Sequence, residues 1–284
     1  MTKSILAKQT NGEIQITITI PKEEIAKNYD LALDDIVKEA ELPGFRKGKA
    51  PKNLVEEKTD KSHIYEHMMQ KIVPQAYVEA VKEHSLQPIV SPKVELLKAQ
   101  EGEDWEIRAT TCEQPKIDLG DYKEAVKKSL AGAKLWKPGD KEETTKTTDE
   151  EKQQKAIQAL LDIAKVDVPN ILVEDEINRS LSSLLSQTQS LGLNIDQYLA
   201  SIGKTPETIR QEYRDKAITS FKLQFALDKI AMDEKIEVTE KEIEDLVNVT
   251  GDAKVKKEFE DPYQKAYLKS VIMRRKALDS LSRL

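Results

Sequence analysis

Hydrophobic and polar residues alternate strictly near the start of the chain. Isoleucine occupies every second position from 14 to 20, with polar residues between: Ile14, Gln15, Ile16, Thr17, Ile18, Thr19 and Ile20. A period of two is typical of a β-strand with one buried face. We therefore predict a strand over residues 12–20. Residues 4–9 are expected to pair with it through a turn at Asn11-Gly12.

Helical spacing replaces this alternation after Pro21. One helix is predicted from Pro21 to just before Pro43, with its apolar stripe at Ile25, Tyr29, Leu33 and Ile36. A second is predicted from about Ser62 to His84, kinked at Pro74, with its apolar line at Ile64, Met68, Ile72, Ala76 and Ala80. Two further strands are expected at 93–98 and 104–112. Residues 1–112 thus have the order β-β-α-α-β-β of a small α+β domain.

The pattern changes again beyond residue 112. Residues 113–151 comprise a connector around Pro115 and then, from 131, a stretch of small, polar and charged residues that is typical of an exposed linker. From 152 to 284 apolar residues recur at helical spacing, with helix-start signals at Thr205-Pro206 and at Thr239. No strand pattern separates these helices, so an all-helical C-terminal domain is predicted.

Composition excludes several classes of protein. The chain of 284 residues has a net charge of −6, whereas a dedicated DNA-binding protein usually has a basic excess, so DNA is not an expected partner. It has no apolar run long enough to span a membrane and no secretory signal, so a cytoplasmic location is expected. Cys112 is the only cysteine and is expected to be buried. Glycine-rich phosphate motifs are lacking, so no cofactor is expected.

The most specific chemistry lies in residues 43–52, Pro-Gly-Phe-Arg-Lys-Gly-Lys-Ala-Pro-Lys. These ten residues include four basic side chains and no acidic one. Their two glycines and two prolines exclude the interior of a helix or strand and indicate a tight, projecting loop. A phenylalanine next to an arginine, as at Phe45-Arg46, is the kind of pair that carries binding energy in protein interfaces. We therefore predict that this loop docks on a partner.

This segment closely resembles the signature loop of the bacterial trigger factor family, G-F-R-K-G-K-x-P. In that family the loop binds the large ribosomal subunit beside the exit of the nascent chain. The resemblance implies that Phe45, Arg46 and Lys47 make the docking contacts. The other residues of the predicted ribosome-binding set are Gly44, Gly48, Lys49 and Pro51.

The resemblance covers residues 1–123 closely and 152–284 more loosely. It implies that the helical part is a chaperone domain with projecting arms, which forms a cradle together with the N-terminal domain. Such a protein binds apolar segments of nascent and unfolded polypeptides and releases them without ATP. The residues that contact these clients are unknown from the sequence. The oligomeric state is open, with a homodimer away from the ribosome as one option.

One departure from the family pattern is large. Family members usually carry an FKBP-like prolyl isomerase domain between the two parts, and such a domain needs about a hundred residues. Only residues 124–151 are available here. We therefore predict a chaperone without enzymatic activity. Two other classes stay open: a ribosome-independent assembly or export chaperone, including a periplasmic one, and an enzyme, either an isomerase or a zinc protease.

A competing motif lies in residues 63–67, which match the H-x-x-E-H pattern of a class of zinc proteases. On a helix, His63 and His67 could face one metal ion, with Glu66 as a general base. A five-residue pattern with two free positions is weak support, however. The apolar line through this segment, which includes Met68, explains it as packing, so no metal site is expected.

Overall fold

The computed structural model describes residues 2–131, 149–249 and 261–284, and the chain divides into two compact units, Met1–Gln114 and Pro115–Leu284. The N-terminal unit combines a four-stranded sheet with three helices. In chain order its elements are β1 (Lys3–Lys8), β2 (Glu13–Ile20), α1 (Lys22–Glu39), α2 (Lys52–Lys58), α3 (Lys61–Glu83), β3 (Lys93–Lys98) and β4 (Trp105–Cys112). The predicted α+β layout is confirmed, with α2 as an addition that the sequence pattern did not indicate.

The sheet is antiparallel throughout and has the strand order β1-β2-β4-β3. The four alternating isoleucines of β2 are all buried, and so are all five residues of the apolar line along α3. These two sets form the core of the unit together with parts of α1 and β4. The hairpin between β1 and β2 turns at Gly12, where φ is +83°, and the Glu13 N–H donates to Asn11 Oδ1 at 3.0 Å.

The described residues of the C-terminal unit are helical apart from two very short strands. Its elements are β5 (Ile117–Asp118), α4 (Tyr122–Ala131), α5 (Asp149–Ile163), β6 (Lys165–Val166), α6 (Asn170–Ser190), α7 (Ile195–Ser201), α8 (Pro206–Asp233), α9 (Glu240–Val249) and α10 (Pro262–Ser282). The helix starts predicted at Thr205 and Thr239 are confirmed, because each threonine side chain accepts a backbone N–H of the following turn. Within the described ranges, no helix is both long and apolar enough to cross a membrane.

Part of the predicted connector, 113–151, is a packed portion of the helical unit. Ile117 pairs with Val166, so β5 and β6 form a two-stranded antiparallel sheet. Leu119 and Val126 are buried in one cluster with residues of α5, α8 and α10. This pair of strands is an exception to the all-helical prediction, since two residues are too few for a recognisable alternation. Residues 132–148 of the predicted linker lie outside the described residues.

A second, smaller cluster joins α6 to α8. Val173 and Ile177 on α6 pack against Ala217 on α8, and the Glu174 carboxylate forms ion pairs with two arginines of α8. The apolar stripe of α6 is buried at its start but exposed at Leu185, near the far end of the helix. The helical unit therefore presents apolar side chains that its own packing does not cover.

Candidate functional site

The 43–52 loop connects α1 to α2 and consists of two consecutive tight turns. In the first turn, the Phe45 N–H donates to the Leu42 carbonyl oxygen at 3.0 Å. In the second, the Lys49 N–H donates to the Arg46 carbonyl oxygen at 2.9 Å. The third position of each turn is a glycine with positive φ, +88° at Gly44 and +71° at Gly48. Proline then glycine at the two central positions is the type II signature, so the sequence itself specifies the first turn.

Both ends of the loop are fixed to the N-terminal unit. The Gly48 N–H donates to the Ala40 carbonyl oxygen at 3.1 Å and so ties the second turn back to the end of α1. Ala50 is buried in the core, and Leu42 packs against the same core from the other side of the loop. These contacts hold the base of the loop, which lowers the conformational entropy lost when its tip binds a partner.

Lys52 anchors the C-terminal end of the loop through its charge. Its Nζ lies 2.8 Å from an Asp34 carboxylate oxygen, 3.2 Å from an Asp30 carboxylate oxygen and 3.2 Å from the Asp30 backbone oxygen. The hydrogen bond to Asp34 raises the pKa of the Lys52 ammonium group. The positive charge of Lys52 is therefore paired within the protein and serves to hold the loop rather than to bind a partner. The sequence analysis missed this role, because the pairing of Lys52 with Asp30 and Asp34 depends on how α2 returns to α1.

The tip of the loop is available to a partner. Phe45 is 43% exposed, and Arg46, Lys47, Lys49 and Pro51 are also exposed. Across the residues that the structure describes, no acidic side chain lies within ion-pair distance of the three tip cations. The predicted ribosome-binding residues thus lie together on one short segment, which combines an uncovered aromatic ring with uncompensated positive charge. Such a combination suits an acidic or phosphate-bearing partner that also offers an apolar contact.

Gly48 and Gly44 are expected to respond differently to replacement by alanine. A Cβ at Gly48 would lie 2.6 Å from the Lys38 backbone oxygen, whereas a Cβ at Gly44 would meet no atom within 4 Å. Both changes place a side chain at positive φ, but only Gly48→Ala must also move a backbone segment. We expect Gly48→Ala to lower the free energy of unfolding by about 2–4 kcal/mol and Gly44→Ala by about 1 kcal/mol. Urea denaturation measures both, and equal losses would contradict this account of the loop.

The two histidines of the H-x-x-E-H pattern lie on α3 in different environments. His63 is exposed, and His67 is half-buried with its Nδ1 enclosed and without a hydrogen-bond partner in the described part of the chain. No group of three or more His, Cys, Asp and Glu side chains that could hold a metal ion is found among the described residues. Ile64 and Met68, within and next to the pattern, are buried in the core, as the packing interpretation predicts.

Exposed apolar side chains of the helical unit are further candidate contacts for a partner. Leu191 is 71% exposed and Tyr267 is 62% exposed. A groove of about 360 Å³ lies between α6, α7 and α8, and its apolar lining includes Leu181, Leu184, Leu185, Ile195 and Leu199.

A small α+β unit that presents a cationic loop with an aromatic tip, followed by a helical unit with uncovered apolar surface, defines a modular interaction protein. Residues 1–160 match the family model described as bacterial trigger factor protein, and residues 138–283 match the model described as its C-terminus. The first match alone covers more than half of the chain. The chain therefore belongs to the bacterial trigger factor family.

Individual relatives support this assignment over the N-terminal part. The trigger factors of Staphylococcus epidermidis and Staphylococcus aureus are each 34% identical to the chain over 116 residues, which is 41% of this chain and 27% of each relative. The match thus spans about a quarter of the length of these curated relatives. A solved structure described as "Promiscuous Substrate Recognition in Folding and Assembly Activities of the Trigger Factor Chaperone" is 14% identical, with 99% of both chains covered and a TM-score of 0.67. It shares the fold.

Proposed function

We propose that this protein is a cytoplasmic, ATP-independent chaperone that docks on the large ribosomal subunit near the exit of the nascent chain. The 43–52 loop makes the docking contact, with Phe45, Arg46 and Lys47 at its centre and Gly44, Gly48, Lys49 and Pro51 in support. Apolar segments of nascent or unfolded polypeptides bind to the protein and are released as they fold. Family membership and the solved trigger factor with the same fold support this choice of partners.

The observation that carries the docking proposal is the exposed tip of the 43–52 loop. The side chain of Phe45 is 43% exposed on a loop that is held at both ends, and it is followed by two exposed cations, Arg46 and Lys47. Aromatic and arginine side chains are the residues that most often carry the binding energy of protein interfaces. The adjacent cations lack ion-pair partners in the described residues, so docking does not require an internal ion pair to be broken. The ribosomal surface, which is rich in phosphate, attracts such a loop over distance.

Pelleting of the protein with ribosomes tests the docking proposal. We expect saturable co-sedimentation with 70S particles and with isolated large subunits, but not with small subunits. Light scattering of a refolding client tests the chaperone proposal separately and requires no ribosomes. A protein that suppresses aggregation but never pellets with ribosomes would be a ribosome-independent chaperone, and the docking part of the proposal would be wrong.

We infer that the chain has no prolyl isomerase activity. The two family matches overlap at residues 138–160 and leave no interval for the inserted domain of about a hundred residues that family members usually carry. Purified protein is expected to leave prolyl exchange at its uncatalysed rate, tens to hundreds of seconds. A proline-containing test peptide followed by NMR exchange measures this. Acceleration that persists after host isomerases have been removed would contradict the inference.

A further inference from the structure

The N-terminal unit has an uncovered groove on the side of the sheet that faces α3. The groove has a volume of about 620 Å³, and the residues that matter for the argument are Tyr65, Glu66, Met69, Leu96, Glu101 and Trp105. We call it the β3 edge groove. Val94 and Leu96 pair with buried residues of β4, yet they are 40% and 50% exposed. The helices therefore cover the inner face of the sheet only as far as β4, and the inner face of β3 is left open.

Two aromatic rings, Tyr65 and Trp105, line this groove, and Tyr29, which does not line it, packs against Tyr65. The ring centroids of Tyr29 and Tyr65 lie 5.2 Å apart, and those of Tyr65 and Trp105 lie 5.5 Å apart. Trp105 Nε1 donates to the Gln100 backbone oxygen at 3.1 Å, which fixes the orientation of the indole. Because these rings already hold one another in place, they lose little further side-chain entropy when an apolar group binds against them.

β3 also lies at an edge of the sheet. It pairs with β4 on one side only, and no strand of the described chain pairs with its other side. An edge strand next to an apolar groove is the arrangement that binds peptides by strand addition: backbone hydrogen bonds form along the edge, and alternate side chains enter the groove.

The charge around the groove is negative. Glu66 and Glu101 line it, and no basic side chain is among its lining residues. Lys61 Nζ lies 3.5 Å from the Glu101 carboxylate, whereas Glu66 has no cation within ion-pair distance among the described residues. An occupant with a positive charge near Glu66 would therefore be favoured over a neutral or acidic one.

We propose that the β3 edge groove binds an extended, unfolded polypeptide segment that adds to β3 as a fifth strand, with apolar side chains at every second position and a lysine or arginine near Glu66. This contact is separate from the 43–52 loop. This proposal depends on the proposed function in one respect, namely that the occupant is an unfolded polypeptide chain. The N-terminal unit then holds a client as well as docking the protein.

A second copy of the chain is a poorer occupant of this edge. If two β3 strands paired antiparallel in register, Lys93 of one copy would lie opposite Lys98 of the other at both ends of the ladder. Like charges directly opposite each other destabilise strand pairing. Lysines at the ends of an edge strand are a common protection against self-association.

The test uses the full-length chain and a fluorescein-labelled nine-residue peptide that has leucine at every second position, serine between and arginine at one end. Two variants are matched: Leu96→Glu places a charge in the groove, and Leu97→Glu changes a neighbour that is 43% exposed but does not line the groove. We expect Leu96→Glu to weaken binding roughly tenfold or more and Leu97→Glu to change it less than about twofold. Glu66→Gln is expected to weaken binding roughly two- to fivefold.

Hydrogen exchange identifies the mode of binding. The peptide should slow exchange of backbone amides in Lys93–Lys98, and a peptide with proline at its centre should not, because proline cannot donate to a strand ladder. The variant with Phe45, Arg46 and Lys47 changed to alanine should bind the peptide as the wild type does, even if ribosome docking fails. The proposal would be overturned if the Leu96→Glu and Leu97→Glu variants had equal affinities for the peptide. It would also be overturned if the peptide slowed exchange only of amides that lie outside β3. A wild-type dimer that Leu96→Glu dissociates would likewise overturn it, because the occupant would then be a second copy.

Discussion

A chain that carries Phe45→Ala, Arg46→Ala and Lys47→Ala is expected to lose ribosome binding at concentrations that saturate the wild type. Removing a single aromatic or arginine anchor at the centre of an interface weakens binding roughly thirtyfold, so the combined loss should exceed a thousandfold. The fold should be unaffected, because these side chains lie at the exposed tip of the 43–52 loop and outside the core. Co-sedimentation with 70S ribosomes measures the loss, and thermal unfolding checks the fold.

A matched triple variant distinguishes a specific contact from general attraction to ribosomal phosphate. Lys58→Ala, Val78→Ala and Lys82→Ala likewise remove one exposed apolar side chain and two exposed cations from the same unit, away from the loop. This variant is expected to bind ribosomes with nearly wild-type affinity at physiological salt. If both variants lose binding equally, the attraction is nonspecific. If the loop variant still pellets as the wild type does, the docking assignment is wrong.

Dividing the chain between Gln114 and Pro115 is expected to separate ribosome docking from the client binding of the helical unit. The fragment 115–284 retains the two hydrophobic clusters described above for the helical unit and the pairing of β5 with β6. It should fold, suppress aggregation of an unfolded client and fail to pellet with ribosomes. Its exposed apolar side chains, such as Leu191 and Tyr267, are the expected client contacts. A fragment that is folded by circular dichroism but gives no protection at several-fold molar excess would show that the helical unit is only a spacer.

A shorter fragment, 149–284, provides the matched comparison. It lacks β5 and α4 and therefore loses Leu119 and Val126, which are buried against α5, α8 and α10. Each buried side chain of this size contributes about 1.5–3 kcal/mol, so the shorter fragment should be less stable by about 3–6 kcal/mol. Urea denaturation compares the two fragments. Equal midpoints would mean that residues 115–131 contribute nothing to the helical unit.

The sequence predicted the elements whose burial follows a local period. The strict alternation in β2 and the four-residue spacing along α3 both correspond to buried faces. α2 was missed because its seven residues contain a single buried position, Val55, which is too few to display a helical period. α4 was interpreted as connector because its one buried residue, Val126, lies among lysines, and its burial depends on helices that are distant in sequence.

The candidate sites likewise include features that the local sequence predicts and features that depend on how distant elements pack. The conformation of the 43–52 loop follows from its own glycines and prolines, so the sequence could indicate a tight loop and an exposed tip. The choice of Asp30 and Asp34 as partners for Lys52 could not be predicted, because it depends on how α2 returns to α1. The β3 edge groove was not predicted either. Leu96 lies in a strand pattern that normally indicates burial. It is exposed because α3 covers the inner face of the sheet only as far as β4.

The antiparallel packing of α4 and α5 makes the helical unit tolerant of large insertions at one point. The end of α4 and the start of α5 are neighbours: Ser129 Oγ donates to the Lys155 backbone oxygen at 3.3 Å, and Ala131 and Asp149 border the same hollow. The two helix ends that flank residues 132–148 therefore lie close together. A whole domain whose termini lie close together can be gained or discarded there without repacking the helices. The same position would accept a fluorescent or affinity module grafted in by an experimenter, with the residues of every proposed binding surface left unchanged.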